Sequence, residues 1–159
     1  VRPLQEGGTG SDSESLEHPA FRPDRYEAGT LNLHGIAGTM GALQSQETSP
    51  LLGAHKQELT AMFLEGIGEL PRVKTQSPED GTALCASFTI DGLRPDEVAE
   101  HLESQYGVLC RPGLQCAPAA HQHLATFPQG TVRLSPGWRN TQDDIEIALR
   151  AVRDVVRHA

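Results

Sequence analysis

Apolar residues recur at helical spacing in some segments of the chain and alternate in others, while residues 1–30 do neither. That first stretch is rich in Gly, Ser, Glu and Pro and reads as loop. Asn32 to Gln46, "NLHGIAGTMGALQSQ", reads as a helix with Gly35, Gly38 and Gly41 three apart, a spacing that suits close backbone approach to another element or chain. A longer amphipathic helix follows, with Ser49 as its cap and Pro50 at its first position. Its stripe is Leu52, His55, Leu59, Met62, Phe63, Ile67 and Leu70, and Pro71 ends it. "RVKTQ" and "ALCASFTI" read as strands, the second with Leu84, Ala86, Phe88 and Ile90 on one face and Cys85 on the other. Pro95 opens a helix with Val98, Leu102 and Tyr106 as its apolar face, and Gly107 closes it. "VLC" reads as a short strand running into the loop "RPGLQCAPAAHQHL", and "TVRLS" as a strand with Val132 and Leu134 on one face and Thr131, Arg133 and Ser135 on the other. The last helix has a capping box, Thr141 with Asp144, and a stripe of Ile145, Ala148, Leu149, Val152 and Val156. Its acids come early and Arg150, Arg153 and Arg157 late, matching the helix dipole. The order α, α, β, β, α, β, β, α predicts an α/β chain in which a small sheet is covered by helices.

Composition narrows the function classes. The 159 residues fit one domain, and 37% hydrophobic with 4% aromatic content makes the core depend on aliphatic side chains. Net charge is −8, which leaves no basic face for nucleic acid, and no apolar stretch approaches the roughly 20 residues of a membrane span. Cys85, Cys110 and Cys116 are an odd count without CxxC spacing, a poor disulfide framework and a poor zinc site, so a reducing cytoplasm is the expected compartment. The chain starts at Val1 with neither signal nor transit pattern, which reads as a processed chain or a piece of a longer one.

The candidate chemistry lies late in the chain. Cys116 sits where Pro112, Gly113 and Pro118 turn the backbone; it reads either as a nucleophile, with Arg111 favouring the thiolate, or as an incidental exposed thiol. Arg133 on a short strand can hold a carboxylate bidentately or be a solvated edge-strand residue. "EGGTGS" (Glu6 to Ser11) and "EAGT" (Glu27 to Thr30) offer backbone donors of the phosphate-binding kind, or are plain turns. His121 and His123 lack a third ligand at suitable spacing, so no metal site is expected. His55–Lys56 lies mid-helix and reads as structural.

Taken together, "EGGTGS", "PDRYEAGTLNLHGIAG", "RPGLQCAPAAH" and "GTVRLSPGWRNTQDDIEIALRAV" resemble, in order, the C-terminal part of class V aminotransferase-family proteins, specifically the SUF-like cysteine desulfurases and selenocysteine lyases. The resemblance implies the C-terminal small domain of a fold-type I enzyme dependent on pyridoxal 5′-phosphate (PLP). Residues 1–46 would be an arm and cofactor-proximal segment of the large domain, and residues 47–159 the small domain. It further implies a homodimer with shared active sites, L-cysteine or L-selenocysteine as substrate, a sulfur-acceptor protein and a link to iron–sulfur cluster assembly. Gly29 and Thr30 would contact the phosphate of the partner subunit's PLP, and Arg133 would hold the substrate carboxylate. Cys116 would take the substrate's sulfur as a persulfide beside Arg111, leaving alanine.

Three departures from the group stand out. Gln115 replaces the histidine that often precedes the nucleophile, and Leu31 replaces the proline that usually follows "EAGT". The family's Schiff-base lysine, expected before "EGGTGS", is missing; the lysines are Lys56 and Lys74. The expectation is therefore a C-terminal part that contributes residues to a site it does not complete. The alternatives are a non-catalytic α/β binding module that retains the fold, or a related class V lyase or aminotransferase acting on another amino acid.

Overall fold

The computed structural model describes residues 2–12, 14–47, 52–78 and 82–158. The chain divides into two compact units, Val1–Ser49 and Pro50–Ala159. The first holds a short 3-10 turn, Asp24–Tyr26, and helix α1, Leu33–Glu47. Its irregular part is tied by the His18 ring, whose Nε2 lies 2.9 Å from Arg25 O and Nδ1 3.3 Å from Gly7 O. On α1, Leu33, Ile36, Met40 and Leu43 are exposed, and a Cβ added at Gly38 or Gly41 would meet nothing within 4 Å. A Cβ at Gly35 would stand 2.6 Å from Asn32 Nδ2 just ahead of the same helix, so among the described residues the glycine spacing brings no other element close.

The second unit runs α2 (Leu52–Gly68), β1 (Val73–Thr75), β2 (Ala86–Ile90), α3 (Pro95–Tyr106), β3 (Arg111–Gly113), α4 (Pro118–His123), β4 (Thr131–Leu134) and α5 (Gln142–His158). The four strands form one antiparallel sheet in the order β1-β2-β4-β3. This is the small helix-covered sheet that the patterning predicts, in α+β form.

Period-two alternation sorts the sheet's faces. Phe88 pairs with Val132 and Ala86 with Leu134 on the core side. Leu59, Phe63 and Ile67 of α2, Val98 and Leu102 of α3, and Ile145, Leu149 and Val152 of α5 close over them, all buried. Phe63 and Phe88 meet at a ring-centroid distance of 5.9 Å in a tilted pair; burying each stabilises the fold by about 1.5–3 kcal/mol. Helix α2 approaches α5 so closely at Gly66 that a Cβ there would stand 2.6 Å from Leu149 Cδ2.

Helix ends follow local chemistry. On α3, Pro95 occupies the first turn, Glu97 Oε2 accepts from Arg94 N at 2.9 Å, and Gly107 caps the C-terminus at φ +66°. On α5, Asp144 N donates to Thr141 Oγ1 (3.3 Å) and Thr141 N to Asp144 Oδ2 (2.9 Å), the expected capping box. The cap expected at Ser49 and Pro50 lies outside the described residues.

Four details differ from the sequence reading. The strand expected at "VLC" falls three residues later, on Arg111–Gly113, where an edge strand tolerates Pro112 and its missing N–H. The segment after Cys116 is helix α4 rather than loop. Leu84 precedes β2 and is exposed, so Ala86 begins the buried alternation. On α5, Ala151 and Val155 are buried while Val156 is only partly so, a rotation of the stripe by one residue.

Candidate active site

The sheet face opposite the core carries the candidate chemistry. Antiparallel register sets Arg133 of β4 between Ser87 of β2 and Arg111 of β3, with Thr131 opposite Gly113 one step along. β4 is an interior strand, so the solvated edge-strand reading of Arg133 does not hold. Arg133 Nε is buried without a hydrogen-bond partner among the described residues. A buried donor left unpaired is costly, and the acceptor it lacks matches a carboxylate.

β3 ends in a tight turn. Ala117 N donates to Leu114 O at 2.9 Å, and the two central residues, Gln115 (φ +47°) and Cys116 (φ +63°), are both left-handed. Such turns usually take Gly, Asn or Asp, and each ordinary residue there costs about 1–2 kcal/mol. The conformation lifts Cys116 into solvent, with its Sγ 3.5 Å from Arg111 Nη2. The Gln115 side chain folds back: Nε2 donates to Arg111 O (3.1 Å) and Thr131 O (2.9 Å), and Oε1 accepts from Thr131 Oγ1 (3.4 Å). Sequence reasoning named Gln115 only as a departure from histidine. No local pattern marks it, because its partners come within reach only through the pairing of β3 with β4.

The other two thiols differ from Cys116. Cys85 and Cys110 are half-buried. Burial pushes the Cys110 thiol above its ordinary range, and the nearby Glu103 carboxylate pushes the same way. A thiol that resists ionisation is a poor nucleophile.

Of the histidines singled out in the sequence, His121 and His55 are structural, while His123 is exposed on α4. His121 is buried with Nδ1 2.7 Å from Thr126 Oγ1, and His55 Nε2 lies 2.9 Å from Asn140 O. Among the described residues no three His, Cys, Asp or Glu side chains gather as a metal would need.

In the first unit, the two glycine-containing segments come together. Gly29 N donates to Gly8 O at 2.8 Å, with Gly29 at φ +86°. That bond occupies the Gly29 N–H and leaves the neighbouring Thr30, which is exposed, to offer donors to a ligand. Arg111, Cys116 and Arg133 thus share one turn and sheet face of the second unit, while Gly29 and Thr30 belong to the first.

The aminotransferase class-V family model matches residues 1–148. A probable cysteine desulfurase of Mycolicibacterium paratuberculosis is 29% identical over 157 residues, covering 96% of this chain and 22% of the relative. A probable cysteine desulfurase of Pyrococcus abyssi is 31% identical over 163 residues, covering 98% of this chain and 39% of the relative. The apo structure of a cysteine desulfurase from Thermococcus onnurineus superposes with a TM-score of 0.82 at 30% identity, covering 99% of this chain and 40% of that one. The chain therefore spans less than half the length of these proteins.

Proposed function

This chain belongs to the aminotransferase class-V family, and from that membership we propose that it is the C-terminal part of a PLP-dependent cysteine desulfurase. The observation that carries the reading is the Cys116 thiol, raised on a left-handed turn 3.5 Å from Arg111 Nη2 and next to the face that bears Arg133. Residues 1–46 are the arm of the large PLP domain and residues 47–159 the small domain.

The residues present fit an amino-acid substrate held on PLP. The unpartnered Arg133 Nε is a donor awaiting a carboxylate, and the Thr30 turn offers neutral donors of the kind a phosphate takes. When bound, PLP supplies the electron sink that loosens bonds at the substrate's carbons. Arg133 orients the amino acid by its carboxylate. Cys116, as thiolate, takes the sulfur: an S–S bond forms, the C–S bond breaks with its pair left on carbon, and that carbon then gains a proton to give alanine. The persulfide remains on Cys116 with Arg111 beside it. Exposure of Cys116 lets a sulfur-acceptor protein collect the sulfur. We assign the complete enzyme to a homodimer with shared sites in a reducing, cytoplasmic setting, consistent with the free thiols of Cys85, Cys110 and Cys116. No described helix is long and apolar enough to cross a membrane.

The test uses the complete PLP enzyme that contains this chain. Wild type mixed with L-cysteine and digested without reductant is expected to carry one extra sulfur on Cys116. Cys116→Ala is expected to lose cysteine turnover while keeping much of any activity on selenocysteine, whose C–Se bond is weaker. Extra sulfur on Cys85 or Cys110 alone, or full cysteine turnover in Cys116→Ala, overturns the reading.

A further inference from the structure

We propose that Gln115 is a positioning residue whose carboxamide holds the turn that presents Cys116 to Arg111. The desulfurase reading enters only as the reaction this turn serves.

The turn's own backbone hydrogen bond, Ala117 N to Leu114 O, ties it to neither β3 at Arg111 nor β4. Gln115 and Cys116 are two successive residues at positive φ, neither of them glycine, in the connection that leads from β3 into α4. What opposes their relaxation is the Gln115 side chain, which reaches from the turn to both flanking strands. It donates to Arg111 O where β3 begins and to Thr131 O where β4 begins, and accepts from the Thr131 hydroxyl. Thr131 is 1% exposed and serves as a fixed anchor. A carboxamide alone combines two N–H donors and an acceptor without charge. Glutamate of the same length would set a carboxylate against two carbonyls. Histidine would make the hold depend on pH near neutrality. Glutamine keeps it constant across that range. The consequence is geometric: Arg111 stays within 3.5 Å of Cys116 Sγ because the backbone between them is tied at its midpoint.

The experiment uses the 159-residue chain and needs no turnover. Cys116 is alkylated at pH 8 with iodoacetate and, separately, with iodoacetamide, and each product is quantified by peptide mass spectrometry with Cys85 and Cys110 as internal references. A guanidinium beside the sulfur favours the anionic reagent, so the ratio of the two rates reports the Arg111–Cys116 distance; thiol ionisation cancels. A unit charge about 6 Å away in water changes such a ratio roughly threefold. Arg111→Ala sets the floor. Gln115→Ala and Gln115→Met are expected to fall to that floor while remaining folded at the assay temperature, and Gln115→Glu to fall with them. A wild-type ratio in folded Gln115→Ala or Gln115→Met overturns the proposal. A second measurement needs no variant: in the wild-type NMR spectrum, the Gln115 side-chain amide protons are expected to exchange with solvent more slowly than those of exposed Gln105. Equal exchange overturns the proposal too. Failure of the ratio speaks against Gln115 whatever the reaction, whereas absence of sulfur on Cys116 speaks against the reaction and not against this hold.

Discussion

Gly130 stands at φ +80°, and a Cβ built on it would overlap the Gly113 backbone carbonyl, itself part of a residue at φ +91°. The two glycines let the end of β3 and the start of β4 meet beside the Cys116 turn. Their register then sets Arg111 opposite Arg133. Two cations side by side repel, so an anion between them is favoured. In the complete enzyme, Arg133→Ala is expected to leave PLP bound but weaken capture of L-cysteine roughly ten- to hundredfold, the equivalent of about 1.5–3 kcal/mol for a charge-assisted pair. Steady-state kinetics on cysteine check this, and an unchanged KM would remove Arg133 from the site. The turn that carries Cys116 and the place of Arg133 in an alternating strand were legible from turn signals and alternation, while the roles proposed for them come from the family resemblance. The Gln115 hold was not legible, because its partners are backbone carbonyls that only strand pairing brings within reach.

Helix α5 shows how well a terminus can be read. The capping box at Thr141 and Asp144 forms as the sequence predicts, and it has a pH signature. The Thr141 backbone N–H holds the Asp144 carboxyl below its usual range, with the Asn140 and Thr141 side chains adding to this. Farther along α5, the His101 ring does the same for Asp154, joined by Tyr106 and His158. A depressed carboxyl stabilises the fold above its unfolded value of about 3.9, and that contribution is lost as pH falls through the lower folded value. Melting temperature is therefore expected to drop below about pH 4, and the drop between pH 6 and pH 3 to be smaller in Asp144→Asn. At neutral pH, Thr141→Ala is expected to cost about 0.5–2 kcal/mol by thermal or urea unfolding. Strand β3 and helix α4 were harder to read. Each is short, and Pro112 and Pro118 signal a turn as readily as an edge strand or a helix start.

Across the chain, the two units hold different parts of the proposed chemistry, and the lysines of the sequence are Lys56 and Lys74. Lys56 lies half-buried on α2, and Lys74 lies on β1 opposite Thr89. The 159-residue chain is accordingly expected to form no stable covalent adduct with PLP. Incubation with the cofactor, borohydride reduction and peptide mapping check this; a reduced pyridoxyl group on Lys56 or Lys74 would show that it completes the linkage by itself. The sheet order also bears on synthesis. Among the described residues β3 pairs with no strand but β4, which follows it in the chain. While a ribosome has yet to release Thr131–Leu134, Arg111–Gly113 has no ladder to join, and the Cys116 thiol rides on a nascent tail. Vectorial folding thus delays assembly of the Cys116 turn until most of this chain has emerged, so shorter translation products carry that thiol on a loose segment.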